Sequence, residues 1–293
     1  RYFELLSFRP LAEIDTLRGA IAAGRNPRDV KFELAGEIVA RFHGAEAAAR
    51  AQAEFVARFA QKSLPTDLPL TSIAARDADA LDALATELNK LGGEALAVPT
   101  DVGDMIDHEN LLTAALERFG TIDTWVNNAG VSIFGKLEDV SIEDQRQLFE
   151  TNFWGVVYGS LVAVRHLKVH GGALINLGSE VSDMAIPLQG AYSASKHAVK
   201  GYTDALRLEL MEEKAPVSVT LIKPASINTS FVDNAKNYMD RAPQLPSPLY
   251  EPEIVADAIL FAAAHARRDI YVGSASKIAS SAAHRAPNLM DKI

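Results

Sequence analysis

The sequence contains no cysteine, and this absence excludes several kinds of chemistry at once. A chain without thiols forms no disulfide, uses no thiolate nucleophile and holds no cysteine-ligated zinc or iron–sulfur centre. Long apolar runs are also missing, because the longest candidate, residues 153–164, is interrupted by Gly and Ser and falls short of the ~20 residues of a membrane span. With no signal peptide at the start, we expect a cytoplasmic protein with no membrane partner and no metal.

Positive charge is the next shortage. The chain of 293 residues carries 29 Lys and Arg against 38 Asp and Glu, and the resulting net charge of −9 argues against broad nucleic-acid binding. The balance differs along the chain, since residues 1–62 hold ten basic and eight acidic residues and the remainder holds nineteen and thirty. A hydrophobic content of 48% indicates a folded chain. The uneven charge predicts two unlike segments.

The spacing of apolar residues gives the same division. Residues 1–62 show only helical spacing, and residues 63–71, with Pro65 and Pro69, are predicted to be a linker. From residue 72 onward, apolar runs at 72–75, 96–98, 124–126, 173–177, 217–222 and 270–272 alternate with helical patterns near 78–91, 104–119, 141–169, 190–212 and 252–265. This alternation predicts an α/β fold with a doubly wound parallel sheet over residues 72–293, preceded by a small all-α segment.

The strongest chemical signal is the pair Tyr192 and Lys196, four residues apart at the start of a predicted helix. That spacing places both side chains on one helical face. A nearby ammonium lowers the pKa of a phenol from its usual value of ~10, so such a pair passes a proton to or from an alcohol or carbonyl oxygen. Ser179 ends a predicted strand, where its hydroxyl would hold that oxygen. A Tyr-x-x-x-Lys spacing alone also occurs by chance on many helices.

Three further patterns accompany this pair. Asn127-Asn-Ala-Gly130 follows a predicted strand, Asn152 lies within the predicted helix 141–169, and Pro224-Ala-Ser-Ile-Asn-Thr229 follows another strand. Taken singly, these are a polar turn, an asparagine inside a helix and a proline stop. Taken together, in this order and spacing, they make residues 72–293 resemble the short-chain dehydrogenase/reductase family. One departure is Ala225, where the family usually has glycine after the proline.

The resemblance implies a role for each matched residue. The catalytic set is Tyr192 as general acid/base, Lys196 to lower its pKa and hold the nicotinamide ribose, Ser179 to position the substrate oxygen, and Asn152 to support a water relay to Lys196. The cofactor-binding set is Arg76, Asp101, Asn127, Asn128, Ala129, Gly130, Tyr192, Lys196, Pro224 and Thr229. The segment Thr229–Tyr250, with Phe231 and Tyr238, is expected on the substrate side, as a lid or a surface loop.

Cofactor choice is predicted from the end of the strand at 72–75. NAD-dependent enzymes place an acidic residue there to bind the ribose 2′-hydroxyl, whereas NADP-dependent enzymes place an arginine nearby. Here Ala75 takes the acidic position and Arg76 follows, which favours NADP(H) over NAD(H), although Arg76 also suits a solvated helix start. We therefore predict NADP(H)-dependent hydride transfer between a secondary alcohol and a carbonyl compound, in a homo-oligomer assembled through helices 141–169 and 190–212.

The family's first strand and its Thr-Gly-x-x-x-Gly-x-Gly turn are absent from the sequence. Only Gly19, Gly24, Gly36 and Gly44 precede Gly92, and all of them separate or interrupt helical patterns. The glycine turn lets backbone N–H groups approach the cofactor pyrophosphate, and the first strand is central in the family's sheet. The sequence therefore predicts a truncated Rossmann-like sheet, and a catalytically inactive remnant stays open as an alternative.

Residues 1–70 resemble the anticodon-side helical region of bacterial tyrosyl-tRNA synthetase, through Tyr2–Phe8, Gly24–Asp29 and Glu37–His43. The His-x-Gly-His and Lys-Met-Ser-Lys-Ser motifs that handle ATP are absent, so this segment is not expected to aminoacylate. We interpret the chain as a fusion or assembly chimera joined near residues 69–72. An RNA-binding accessory role of the first helices is a further alternative, against which their small positive charge argues.

Overall fold

The computed structural model describes residues 7, 9–22, 25–60, 71–75, 78–286 and 288. It divides into two compact units, Arg1–Pro69 and Leu70–Ile293. The first unit contains the helices α1 (Leu11–Ala22), α2 (Pro27–His43) and α3 (Ala45–Ala60). Its buried apolar residues are Ile14, Val30, Leu34 and Ala48. The Arg9 guanidinium ties the start of this unit to α2, since it lies 3.2 Å from Glu33 and 3.1 Å from Glu37.

The second unit alternates strands with helices, as the sequence predicts. In chain order its elements are β1 (Thr71–Ala75), α4 (Ala78–Lys90), β2 (Ala95–Pro99), α5 (Met105–Phe119), β3 (Thr124–Asn127), β4 (Ile133–Phe134), α6 (Ile142–Phe149), α7 (Gly155–His170), β5 (Gly172–Leu177), α8 (Gly190–Glu212), β6 (Val217–Pro224), β7 (Lys236–Asn237), α9 (Glu253–Ala264), β8 (Asp269–Val272) and α10 (Ser274–Arg285). The α/β fold class predicted from the sequence is confirmed.

All strands pair in parallel, but the main sheet is in two parts. β1 pairs with β2, and a separate four-stranded sheet has the order β3-β5-β6-β8. Val98 of β2 and Trp125 of β3 belong to one core, so the two parts are neighbours. Within the described residues, no strand pairs with the second edge of β1 or of β3. Among these described strands, the sheet is interrupted between β1 and β3, where the family's first strand would lie.

The four-stranded sheet holds the core. Leu174 and Ile175 on β5, and Leu221 and Ile222 on β6, are fully buried. Consecutive buried residues on one strand mean that both faces of the sheet are covered, as expected for central parallel strands. Helices α7 and α8 supply the cover on one face, through Val162, Leu167, Leu206 and Leu210, and α9 supplies it on the other, through Ile254, Ala258 and Ala262.

One predicted helix is divided in the structure. In place of a single helix over 141–169, α6 passes into a π-helical turn, Glu150–Trp154, before α7 begins at Gly155. Such turns are frequent at functional sites, and this one contains Asn152. The short β4–β7 pair, a 3₁₀ turn at Glu180–Ser182 and helix α10 are further elements that the sequence analysis did not predict. In the described part of the chain, no helix has the length and apolarity to cross a membrane.

Candidate active site

The ends of β3 and β5 are joined by buried amides. Asn127 donates from Nδ2 to Asn176 Oδ1 at 2.8 Å and to Ser160 Oγ at 3.1 Å, while its Oδ1 accepts from Trp125 Nε1 at 2.8 Å. Asn176 extends the network to Thr203 on α8 at 3.0 Å. The polar atoms of the Asn127 side chain all have partners inside the protein, and the cofactor contact of this residue stays a prediction. The side chain holds β3 to β5 and α7.

Asn152 fixes the backbone that follows β3. Its fully buried amide donates to the Val131 carbonyl at 2.9 Å and to Ser195 Oγ at 3.1 Å, and it accepts from the Val131 N–H at 2.8 Å. A Cβ at Gly130 would lie 3.5 Å from Asn152 Oδ1 and 3.6 Å from Lys196 Nζ. The structure therefore brings Asn152 and Lys196 together around Gly130. These contacts occupy the side-chain amide of Asn152, and the water relay to Lys196 stays a prediction.

Ser179 follows β5 and caps the 3₁₀ turn. Its Oγ accepts from the Val181 N–H at 3.3 Å, and its own N–H donates to Ser182 Oγ at 3.1 Å. Just before it, the Gly178 N–H donates to the Ile222 carbonyl of β6 at 2.8 Å. These contacts hold the Ser179 hydroxyl while leaving its proton to donate. The hydroxyl is also close enough to the Tyr192 side chain to act on the pKa of that phenol, in the direction of a lower value.

Tyr192 and Lys196 lie in the first turns of α8. Lys196 is 4% exposed, and its ammonium donates to the carbonyl of Leu177, the last residue of β5, at 2.8 Å. Its Nζ lies 5.8 Å from the centroid of the Tyr192 ring. Among the described residues Leu177 is its only hydrogen-bond acceptor, so two of the three ammonium N–H groups remain for a ligand.

Burial shifts the pKa of both residues toward the neutral form. It raises the pKa of Tyr192 to about 12, with the Ser179 hydrogen bond acting in the opposite direction and the charge of Glu180 adding to the rise. The Tyr192 ring keeps partial exposure, but its hydroxyl lies among protein groups. Burial lowers the pKa of Lys196 to about 8. Near pH 7, Tyr192 is therefore a protonated phenol, the form needed to donate a proton.

Two side chains on the substrate side of Tyr192 complete the site. The Phe231 ring, in the predicted substrate segment, lies 5.5 Å from the Tyr192 ring. Glu180 is half-buried, burial raises its pKa, and its charge contributes to the raised pKa of Tyr192. The sequence analysis missed Glu180, although its position directly after Ser179 was the available signal. Tyr238 is turned away, with its hydroxyl on Asp144 of α6.

The other predicted cofactor residues follow strand ends. Asn128 and Ala129 are exposed and Gly130 is half-buried after β3, while Pro224 is half-buried at the end of β6 and Thr229 is exposed beyond it. Asp101 follows β2, where its Oδ1 accepts from the Gly103 N–H at 3.0 Å. Arg76 lies outside the described residues. Since carboxyl ends of parallel strands form the ligand edge of such sheets, these positions suit a nucleotide.

These residues fit one half of a nicotinamide dinucleotide. At the nicotinamide ribose, Lys196 has free donors and Gly130 leaves space beside them. The pyrophosphate end does not fit, because it needs a glycine turn opening a helix between β1 and β3. Residues 1–70 contain no such turn, and no described strand pairs with the facing edges of β1 and β3.

Comparison with known proteins was consistent with this geometry. The family model of short chain dehydrogenases matches residues 58–240. An uncharacterized oxidoreductase of Bacillus subtilis, YxnA, is 45% identical over 223 residues, which cover 75% of this chain and 63% of that protein. The chain thus spans less than two thirds of that relative.

Two solved structures are similar. A short chain dehydrogenase/reductase from Burkholderia phymatum in complex with NAD is 27% identical with a TM-score of 0.69, over 80% of this chain and 90% of that one. An alcohol dehydrogenase from Thermococcus sibiricus complexed with 5-hydroxy-NADP is 25% identical with a TM-score of 0.60, over 69% of this chain and 84% of that one. These comparisons do not support the resemblance of residues 1–70 to tyrosyl-tRNA synthetase. They show that the chain belongs to the short-chain dehydrogenase/reductase family.

Proposed function

We propose that residues 72–293 form the catalytic part of an NADP(H)-dependent oxidoreductase that interconverts a secondary alcohol and a carbonyl compound. The observation that carries this proposal is the convergence of Tyr192, Lys196 and Ser179 at the end of β5. Lys196 reaches that strand end through the Leu177 carbonyl, and the Ser179 hydroxyl, two residues further on, acts on the pKa of Tyr192. One protonated phenol, one hydroxyl and one ammonium thus surround the position of a substrate oxygen.

Each residue then has a defined task in carbonyl reduction. NADPH, when bound, supplies the hydride. Tyr192, protonated because its pKa is about 12, donates its proton to the oxygen of the substrate. Ser179 donates a second hydrogen bond to the same oxygen, and the Lys196 ammonium stabilises the phenolate that Tyr192 leaves behind. In alcohol oxidation the proton moves in the opposite direction.

The preference for NADP(H) rests on the sequence at the end of β1. Arg76 follows Ala75 there, and an arginine at this place suits the 2′-phosphate. The similar structures named above were solved with NAD in one case and 5-hydroxy-NADP in the other. In a version of the chain that binds the cofactor at micromolar concentration, Arg76→Ala should therefore weaken binding of NADPH and leave binding of NADH unchanged.

A second candidate function, a catalytically inactive oxidoreductase remnant, is favoured by the break between β1 and β3. A buried backbone group left unpaired costs roughly 1–3 kcal/mol, and the pyrophosphate also loses its N–H donors. On this basis, and because the sequence of residues 1–70 contains no glycine-rich turn, we expect the chain to bind NADPH weakly. No observation favours the RNA-binding alternative.

A fluorescence titration with NADPH separates the two candidates. The purified chain is compared with a version that carries a strand, a Thr-Gly-x-x-x-Gly-x-Gly turn and a helix grafted before Thr71. We expect a Kd above about 1 mM for the chain and micromolar binding for the graft. The matched control is the same graft with its glycines replaced by alanine. Micromolar binding by the ungrafted chain would refute the weak-binding proposal, and a graft that binds NADPH without turnover would favour the remnant.

A further inference from the structure

The largest fully buried side chain in the described part of the protein is a lysine. Lys223 lies near the end of β6, the strand between β5 and β8, and its side chain is 2% exposed. Its ammonium lies 2.9 Å from Asp183 Oδ2, whose side chain is 1% exposed, and donates to the Tyr271 hydroxyl at 2.9 Å. Asp269 Oδ1 lies 3.5 Å away. None of the catalytic steps above uses this group.

Stability alone does not account for a buried ion pair. The cost of removing two charges from water is close to the attraction gained, and apolar residues of similar volume often stabilise a protein more. What such a pair provides is a fixed geometry, because a buried ammonium tolerates only the arrangement that places an acceptor against each of its donors. The elements that supply acceptors to the Lys223 ammonium are therefore the parts of the structure that Lys223 holds in place.

Asp183 ends the loop that carries Ser179. The loop 178–183 begins where the Gly178 N–H bonds the Ile222 carbonyl at 2.8 Å, and it ends where Asp183 meets Lys223. Two consecutive residues of β6 thus hold the two ends of the loop, one by its backbone and one by its side chain. Between them, the Asp183 N–H donates to the Glu180 carbonyl at 3.2 Å and closes the 3₁₀ turn.

Lys223 is itself held from the other side. Its carbonyl accepts a hydrogen bond at 2.8 Å from the buried Ser276 hydroxyl of α10. The Tyr271 hydroxyl comes from β8. The end of β6 is therefore braced by α10 and β8, and the Ser179 loop is attached to this braced point.

We propose that Lys223 and Asp183 are positioning residues, whose buried ion pair closes loop 178–183 against β6 and thereby holds the Ser179 hydroxyl toward Tyr192. The catalytic meaning of Ser179 rests on the proposed function. The closure of the loop does not, so an experiment that observes the loop alone fails or succeeds independently of catalysis.

Hydrogen exchange measured by mass spectrometry on the full chain provides that experiment. The main variant is Lys223→Met with Asp183→Asn, which removes both charges with little change in volume. A milder variant, Asp183→Asn alone, keeps one carbonyl oxygen facing the lysine. The control is Lys168→Met with Glu213→Gln, which removes an ion pair whose side chains are partly exposed.

We expect exchange of segment 178–183 to become at least about tenfold faster in the main variant, while β5 stays within about twofold of the parent chain. Asp183→Asn should show the same selective effect at a smaller size, and the control should show none. Unchanged exchange of the loop would overturn the proposal. Equal acceleration of the loop and β5, or loss of folding in both variants, would also overturn it, because the pair would then act on global stability.

Discussion

Replacing Lys196 by methionine should stabilise the protein. Lys196 is 4% exposed, and burial lowers its pKa from 10.5 to about 8. The folded state therefore binds the lysine proton less well than the unfolded state does, and stability is lost as pH falls from the unfolded pKa to the folded one. Lys196→Met removes this cost and keeps a side chain of similar length.

The size of the effect follows from the shift. A change from 10.5 to about 8 corresponds to roughly 3 kcal/mol at pH 7. The lost hydrogen bond to the Leu177 carbonyl offsets about 1 kcal/mol of this gain. The variant should therefore be about 2 kcal/mol more stable at pH 7, or about 4–8 °C in Tm for a unit of this size. Between pH 7 and 9 the parent should gain about 1 kcal/mol relative to the variant.

Urea unfolding followed by circular dichroism at pH 7, 8 and 9 measures both quantities. The matched control is Lys277→Met, since Lys277 is an exposed lysine on α10. It should change neither the stability at pH 7 nor its dependence on pH. A destabilised Lys196→Met variant, or a difference from the parent that stays constant between pH 7 and 9, would refute the assignment of Lys196 as a desolvated ammonium.

Three further predictions concern catalysis and assembly. Tyr192→Phe should lower any reductase activity of the chain or its grafted form by at least about a hundredfold with the fold intact, and activity within a few-fold of the parent would contradict its role as acid/base. Glu180→Gln should lower the pKa of Tyr192, because it removes a negative charge that raises this pKa, and should move the pH profile of kcat/KM for alcohol oxidation to lower pH. The exposed Glu138→Gln is the control, and an unchanged pH profile in Glu180→Gln would contradict the effect of Glu180 on Tyr192. Light scattering should give a dimer or larger assembly, because Trp154 and Leu208 expose apolar surface on the long helical segments, and a monomer peak from a folded chain would oppose this.

Local sequence pattern was sufficient to predict the main strands and the proximity of Tyr192 and Lys196. The apolar runs at 173–177 and 217–222 correspond to β5 and β6, whose residues are buried on both faces, and this is the arrangement in which composition alone indicates a strand. Tyr192 and Lys196 are separated by one helical turn, so their proximity follows from helix geometry.

Contacts between distant residues were not predictable in this way. Lys223 and Asp183 are 40 residues apart, and the sequence gives no sign that they meet, although a lysine inside an apolar strand was a signal that it needs a partner. The inward direction of Asn127 depends equally on Asn176 and Ser160, which belong to other elements. The π-helical turn contains Asn152, whose side chain hydrogen-bonds the backbone of Val131, 21 residues away, and helical periodicity does not register such a contact.

The break in the sheet separates the chemistry of the site from the binding of the cofactor pyrophosphate. Tyr192 and Lys196 lie on α8 and Ser179 lies just after β5, and Lys223 and Asp183 brace the loop 178–183 against β6. Both strands belong to the continuous four-stranded part, whose central residues are fully buried. The edges of β1 and β3 that would pair with a first strand take no part in these contacts. Because the catalytic part rests on its own core, restoring one strand and one glycine turn should restore cofactor binding without rebuilding the site. The environment of Lys196 should already be complete without the graft. The contribution of Lys196 to the pH dependence of the free energy of unfolding should therefore be the same in the chain and in its grafted form.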